Sequence, residues 1–225
     1  MGKTIGILLA GGIGSRFKGD KPKQYYEVGG HELIWYSIEA FKRAEKIDDF
    51  VIVLNEAEYV TGNIAKKYGV HTTLGGKTRN HSLRNAIEYI KKNFPDCDRV
   101  VENNAACPLT KSETLDKYAD LLLEYDYVQT TFKITDALGS YKQRLVDRED
   151  YFLIQTPMAY RFQMLYDNFD PENPVGHPVV QFPDDAKGYN NFEDGVNLKV
   201  TYPEDLVIVE AVFNQRESKK TESAK

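Results

Sequence analysis

The strongest constraint on this chain lies near its start. An apolar run, Ile5 to Ala10, passes directly into Gly11, Gly12 and Gly14. Consecutive apolar positions suit a strand covered on both faces, as parallel strands are. Glycines placed straight after such a strand let the backbone turn and bring N–H groups close to a ligand, because no Cβ intervenes. Arg16, Lys18, Lys21 and Lys23 then set four positive charges within eight residues. This arrangement suits a nucleoside triphosphate: amides cradle its oxygens and cations offset charge that grows during phosphoryl transfer. The spacing matches neither a P-loop nor the GxGxxG dinucleotide fingerprint.

Downstream, strand and helix signals alternate. Leu33, Ile34, Ser37, Ile38 and Phe41 recur at helical spacing and predict a helix over about 32–44. Phe50 to Leu54 reads as a second buried strand, followed by a polar helix near 57–68 that ends at Gly69, and a short strand at 70–73. Gly75-Gly76 opens a helix with the apolar stripe Leu83, Ala86, Ile87 and Ile90. Arg99-Val100-Val101 and Tyr127 to Lys133 read as strands. Between them, Thr110-Lys111-Ser112-Glu113 has the form of a capping box for a helix through about 125. From 135 to 156 the alternation weakens, and Lys142, Arg144, Asp147, Arg148, Glu149 and Asp150 crowd a segment that reads as a projecting arm, about 138–152. Asn197 to Thr201 resumes as a strand, and Thr201 to Glu204 caps a last helix.

The pattern is α/β: a doubly wound, mostly parallel twisted sheet in which ligands sit beyond the carboxyl ends of the strands. One domain is expected over 1–214, with 215–225 a polar tail lacking order. A chain of 225 residues has ample material for a core. Its formal net charge of -5 argues against general nucleic-acid binding and, with a locally basic loop, for a small anionic substrate. Cys97 and Cys107 have no zinc or disulfide spacing. No segment reads as a secretory signal or a membrane span, so a cytoplasmic protein without a membrane partner is expected.

The string Ala10 to Phe17 (AGGIGSRF), continued by Lys21-Pro22-Lys23-Gln24-Tyr25, resembles the nucleotide-binding signature of sugar- and polyol-phosphate nucleotidyltransferases. Its PKQY ending is similar to the cytidylyltransferases that act on 2-C-methyl-D-erythritol 4-phosphate or ribitol 5-phosphate. Gly75 to Leu83 is similar to that family's GGxxRxxSV motif, Gln155-Thr156-Pro157 to its QTPQ, and Asn197 to Leu206 to its closing NIKIT-x-PEDL string. The likeness runs from residue 4 to about 213. It implies a Rossmann-like nucleotidyltransferase that joins CMP from CTP to a small phosphorylated polyol or phosphonate and releases pyrophosphate.

The resemblance also implies site residues. Arg16, Lys23 and Lys199 would be catalytic, the first two stabilising the α-phosphorus and Lys199 orienting the acceptor. Ala10, Gly11, Gly12, Gly14, Ser15, Gly76, Arg79, Ser82, Asn104 and Ala105 would bind the nucleotide. Asp136 and Arg148 would bind the acceptor, Arg148 from an arm exchanged within a homodimer; an ordinary arm charge is the equal alternative for Arg148. His81 reads as exposed or structural. Mg²⁺ is the expected cofactor, its protein ligands unassigned.

Departures from the family concentrate on the acceptor side. Where the family has DAARP, this chain has Asn104-Ala105-Ala106-Cys107-Pro108. Asn104 keeps an oxygen but loses the charge, and Cys107 cannot grip an anion as arginine would. The metal is then held by the triphosphate, or by another carboxylate such as Glu102 or Asp194. A D-T-x-K pattern becomes Asp136-Ala137-Leu138-Gly139, and a threonine becomes Pro183 before Asp184-Asp185. These changes make 2-C-methyl-D-erythritol 4-phosphate a weaker expectation than a ribitol-like or another acceptor. Two rivals stand beside this reading: a sugar-phosphate nucleotidyltransferase using another triphosphate, and a nucleotide-binding homologue without activity.

Overall fold

The computed structural model describes residues 2–223 except Ile13, Ser15, Val175, Gly176, Glu193, Asp194 and Val196. Its elements are β1 (Lys3–Leu9), a small hairpin of β2 (Glu27–Val28) and β3 (His31–Glu32), α1 (Leu33–Arg43), β4 (Asp49–Leu54), α2 (Glu56–Thr61), α3 (Asn63–Tyr68), β5 (His71–Leu74), α4 (Arg79–Asn93), β6 (Cys97–Asn104), α5 (Ser112–Leu121), β7 (Tyr127–Lys133), β8 (Phe152–Arg161), α6 (Phe162–Asn168), β9 (Gly188–Asn191) and α7 (Asp205–Ser223). One seven-stranded sheet has the order β5-β4-β1-β6-β8-β7-β9. β1 pairs in parallel with β4 and β6, β4 with β5, and β7 with β9; only β8 runs antiparallel to its neighbours.

The continuous apolar runs are explained by what covers them. Along β1, Ile5, Ile7 and Leu9 share a core with Leu83, Ile87 and Ile90 of α4. Leu8, between them, faces Ile34, Ile38 and Phe41 of α1. Both pleat directions are therefore buried, which accounts for the continuous apolar run. Gly6 is the one gap, because a Cβ there would come within 2.5 Å of the Phe41 ring. A third cluster of Phe17, Val28, Leu33, Leu109, Val200 and Val209 lies under the glycine-rich loop.

Several sequence expectations are corrected. The single helix over 57–68 is two, divided at Gly62, whose φ of 63° is left-handed. The arm stops at Tyr151, and Phe152–Arg161 is an interior strand of the sheet. Its Gln155, Thr156 and Pro157 hide the strand signal, since pairing is supplied by β6 and β7 rather than by local propensity. Thr110 does not cap α5: Lys111 holds the N-cap position without a side-chain bond, while Thr110 donates toward Asn103 and Asn197, at 3.4 Å each. The segment 197–201 is not a strand, although the Val200 N–H reaches Ala106 O at 2.8 Å. The Thr201 hydroxyl is turned to Lys199 O rather than to the start of α7, and Asp205, the first residue of that helix, ties down the preceding turn by accepting from the Thr201 and Tyr202 N–H groups at 2.6 and 2.9 Å. That helix continues to Ser223 where a tail without order was expected, pinned by the Arg216 guanidinium, which donates to Leu109 O.

Candidate active site

The site forms where β1, β4 and β6 end. Ala10 leaves β1 with its N–H on Val53 O and its C=O accepting from the Gln24 side chain at 2.8 Å. Gln24 is buried, so the PKQY glutamine clamps the start of the loop to the 3-10 turn Lys23–Tyr25. Gly14 has a φ of 72°, which a side chain would strain, and its C=O accepts from the Phe17 N–H at 2.8 Å. Phe17 then drops into the cluster below, fixing the far end of the loop. Gly11, Gly12, Gly14 and Arg16 are left lining a cavity of about 480 Å³.

Lys23 points into this cavity from the turn, its ammonium donating to Val200 O at 2.7 Å. Its pKa is lowered, first by burial and then by the charge of Lys199, with Arg16 adding to the effect. The three expected catalytic cations are thus electrostatic neighbours. Lys199 is placed by the residues flanking it. Asn197 is buried and donates to Thr156 O at 2.6 Å, while Thr201 Oγ1 donates to Lys199 O at 3.0 Å. The NLKVT string therefore works as two tethers around one lysine.

Across the cavity, the α4 start supplies Gly76, Lys77, Thr78, Arg79 and Ser82. The Gly75 N–H extends the end of β4 by donating to Leu54 O at 2.7 Å. Ser82 Oγ accepts from the Gly76 N–H at 3.1 Å and donates to Thr78 O at 3.0 Å, so the motif serine holds the turn closed. Gly76 is required by packing, since a Cβ there would lie 2.3 Å from the His81 Cβ. His81 bonds Thr78 and Glu172, at 2.9 Å each. Among the described residues, no Asp or Glu lines this cavity.

A second cavity of about 320 Å³ opens beside the first and shares Arg79, Asn104 and Lys199 with it. Its remaining walls are Cys107, Ile154, Gln155, Thr156, Met158 and His177. Cys107 Sγ lies 3.3 Å from Thr156 Oγ1, and burial pushes its thiol pKa up, so it stays neutral. His177 has a lowered pKa through burial and the nearby Arg79 charge, favouring neutral imidazole.

The expected residues do not all meet at one place. Gly11, Gly12, Gly14, Arg16, Lys23, Gly76, Arg79, Ser82, Asn104 and Lys199 come together around the first cavity. Ala10 and Ala105 are buried beside its lining residues without lining it, the Ala105 N–H donating to Leu9 O at 3.0 Å. Asp136 and Arg148 are exposed and line neither cavity; Arg148 donates to Thr135 O at 2.7 Å within its own arm. Ser15 and Asp194 lie outside the described residues. Glu102, considered as a metal ligand, is fully buried and paired with Arg79. Among the described residues, no three His, Cys, Asp or Glu side chains converge as a metal site, and no carboxylate lines either cavity. Magnesium favours carboxylate oxygens, so these side chains do not fit a protein-held Mg²⁺.

Sequence reasoning missed His177 and the pairing of Glu102, and it gave Gln24 and Gln155 no role although both lie in strings quoted for the resemblance. Glu102 carried a visible signal, a charge directly after the apolar pair Val100-Val101.

Known proteins resemble this chain over most of its length. A family model described as IspD, 2-C-methyl-D-erythritol 4-phosphate cytidylyltransferase, matches residues 4–215. A protein of that name from Thermosipho melanesiensis is 29% identical over 223 residues, covering 92% of this chain and 96% of its own. Another from Lachnoclostridium phytofermentans is 30% identical over 236 residues, covering 96% and 99%. The crystal structure of 4-diphosphocytidyl-2C-methyl-D-erythritol synthase from Anaerococcus prevotii superposes with a TM-score of 0.79 at 22% identity, over 95% of this chain and 96% of that one.

Proposed function

The chain belongs to the 2-C-methyl-D-erythritol 4-phosphate cytidylyltransferase family, and from that premise we propose that it transfers CMP from CTP to a small phosphorylated polyol, releasing pyrophosphate. The observation that carries this reading is the convergence of Arg16, Lys23 and Lys199 on a glycine-lined cavity that, among the described residues, has no carboxylate in its walls. An acceptor phosphate oxygen attacks the α-phosphorus in line, a P–O bond forms, and the bond to the bridging α,β-oxygen breaks with its electron pair leaving on pyrophosphate. Two anions must meet for this to happen. Arg16 and Lys23 offset charge on the triphosphate, and Lys199, on the shared rim, faces both partners. Mg²⁺ belongs to this reading as a companion of the triphosphate; when bound, such an ion neutralises phosphate charge.

The acceptor enters the second cavity. The relatives are named for 2-C-methyl-D-erythritol 4-phosphate, while Asn104 and Cys107 leave this chain's acceptor side less charged. We take the working form to be a homodimer with exchanged arms. Its support is the apolar surface on the arm and the strand beyond it: Tyr141 is 109% exposed, Leu145 88% and Leu153 51%. Exposed side chains of this size mark interfaces. The cytoplasm is the compartment where CTP is made, and no described helix is long and apolar enough to cross a membrane.

A pyrophosphate-release screen tests the reading, pairing each of the four nucleoside triphosphates with 2-C-methyl-D-erythritol 4-phosphate, ribitol 5-phosphate, sugar phosphates and phosphonates. Release with CTP and one polyol phosphate or phosphonate is expected. Release with another triphosphate alone, or with none, rejects it.

A further inference from the structure

Glu102 is a carboxylate in the middle of the sheet. It is fully buried on β6, level with Ile7 of β1 and Met158 of β8. One oxygen is paired with Arg79 Nη2, and the other accepts from the Tyr160 hydroxyl at 3.3 Å. Tyr160 is itself buried, and burial together with the Glu102 charge raises its pKa well above the ordinary value, so it remains a donor.

Stability explains this cluster poorly. Taking a carboxylate and a guanidinium out of water costs several kcal/mol per ion, and well-packed apolar side chains often replace such pairs without loss. Val100 and Val101, directly before it and equally buried, show that apolar side chains fit this stretch of the strand. The position of Arg79 supplies a better reason. Its side chain is 32% exposed and, with Asn104 and Lys199, forms the rim common to both cavities. A guanidinium is a planar fork whose value to an oxyanion depends on its orientation. Gripped from beneath by a carboxylate that cannot move, this fork has its plane fixed. Among the described residues, the second cavity's charged lining consists of Arg79 and Lys199, beside neutral Cys107 and His177.

We propose that Glu102, seconded by Tyr160, is a positioning residue that aims Arg79 at the anionic head group of the acceptor, so that Arg79 selects for an anion in the second cavity. The assignment of that cavity to the acceptor rests on the function proposed above, but the anion site can be tested without turnover. The probe is inorganic phosphate, titrated into CTP-loaded protein carrying nitrogen-15 arginine, with the Arg79 Nε–H resonance identified by its loss in Arg79→Lys. A saturable shift is expected in the unaltered protein. In Glu102→Gln the phosphate dissociation constant should rise about tenfold while that for CTP changes less than about twofold. By calorimetry, which needs no Arg79 resonance, adding Glu102→Gln to Arg79→Lys should weaken phosphate binding no further, because the carboxylate acts only through the arginine. Tyr160→Phe, which keeps the volume and removes one donor, should show a smaller rise of the same kind and serves if Glu102→Gln does not fold. The proposal is overturned by the absence of a saturable shift, by equal losses of phosphate and CTP affinity, or by additive effects in the double variant. Phosphate binding that follows the expected pattern in a protein that turns over no acceptor would count against the proposed reaction and leave this positioning role intact.

Discussion

The two adjoining cavities are built by different means. The first is made of backbone: glycine turns leaving β1 and β5, held by Gln24 and Ser82, with cations projecting from short turns. The second is made of side chains brought from far apart, with Cys107 following β6, Gln155 and Met158 on β8, and His177 in a loop beyond α6. A triphosphate needs a cradle of amides, and a cradle restricts sequence at fixed spacing. An acceptor is distinguished by a few side chains, which can change without altering the chain's path. The cations proposed as catalytic and the acceptor's specificity should therefore be separable by mutation.

The largest break should come on the nucleotide side. Lys23→Ala or Lys199→Ala should lower kcat on the order of a hundredfold, about 3 kcal/mol of transition-state stabilisation. CTP affinity measured by calorimetry should fall much less, because charge on the leaving oxygens peaks in the transition state. Parallel losses in both quantities would make these lysines ordinary binding groups.

A second break asks whether the acceptor side is completed in trans. Inactive Lys23→Ala protein mixed with inactive Arg148→Ala protein should regain activity, since each mixed dimer holds one site with both residues intact. No recovery in confirmed heterodimers would place Arg148 outside the site, where its own-chain bond to Thr135 would be its main role.

His177→Ala sharpens the comparison from within the second cavity. The acceptor KM should rise about fivefold, near the worth of one hydrogen bond, with the CTP KM unchanged. A change confined to CTP would transfer His177 to the nucleotide side.

The smallest effect is electrostatic. Lys23 is charged in folded and unfolded chains at neutral pH, but burial and Lys199 lower its folded pKa from the ordinary 10.5. The folded state therefore bears a cost that is present below the folded pKa and relieved as pH rises through it, so the ligand-free protein should gain stability there. Lys23→Met should melt higher than the unaltered protein near neutrality, with the gap narrowing as pH approaches 10.5. A gap that widens with pH would mean that Lys23 stabilises the ligand-free fold.

Legibility in the sequence divides along the same line. The glycine loop, the paired lysines and the apolar strands are local patterns, and the fold follows from them. β8 is not legible in the sequence because its hydrogen bonds come from strands well away along the chain, and its Gln155-Thr156-Pro157 breaks the strand pattern. The capping pattern at Thr110 misled because tertiary structure uses that hydroxyl to tie Asn197, and so Lys199, to β6. Glu102 is considered from the sequence only as a metal carboxylate, and nothing local names Arg79 as its partner; that pairing exists only once α4 packs on the sheet.

The most direct test of the divided site is a crystal structure with a CTP analogue whose α,β-bridge is methylene. The expected density has phosphates against Gly11 to Gly14 with Arg16, Lys23 and Lys199 in contact, and leaves the cavity of Cys107, Gln155 and His177 open to an acceptor. Phosphates seated among Cys107, Gln155 and His177 would contradict it.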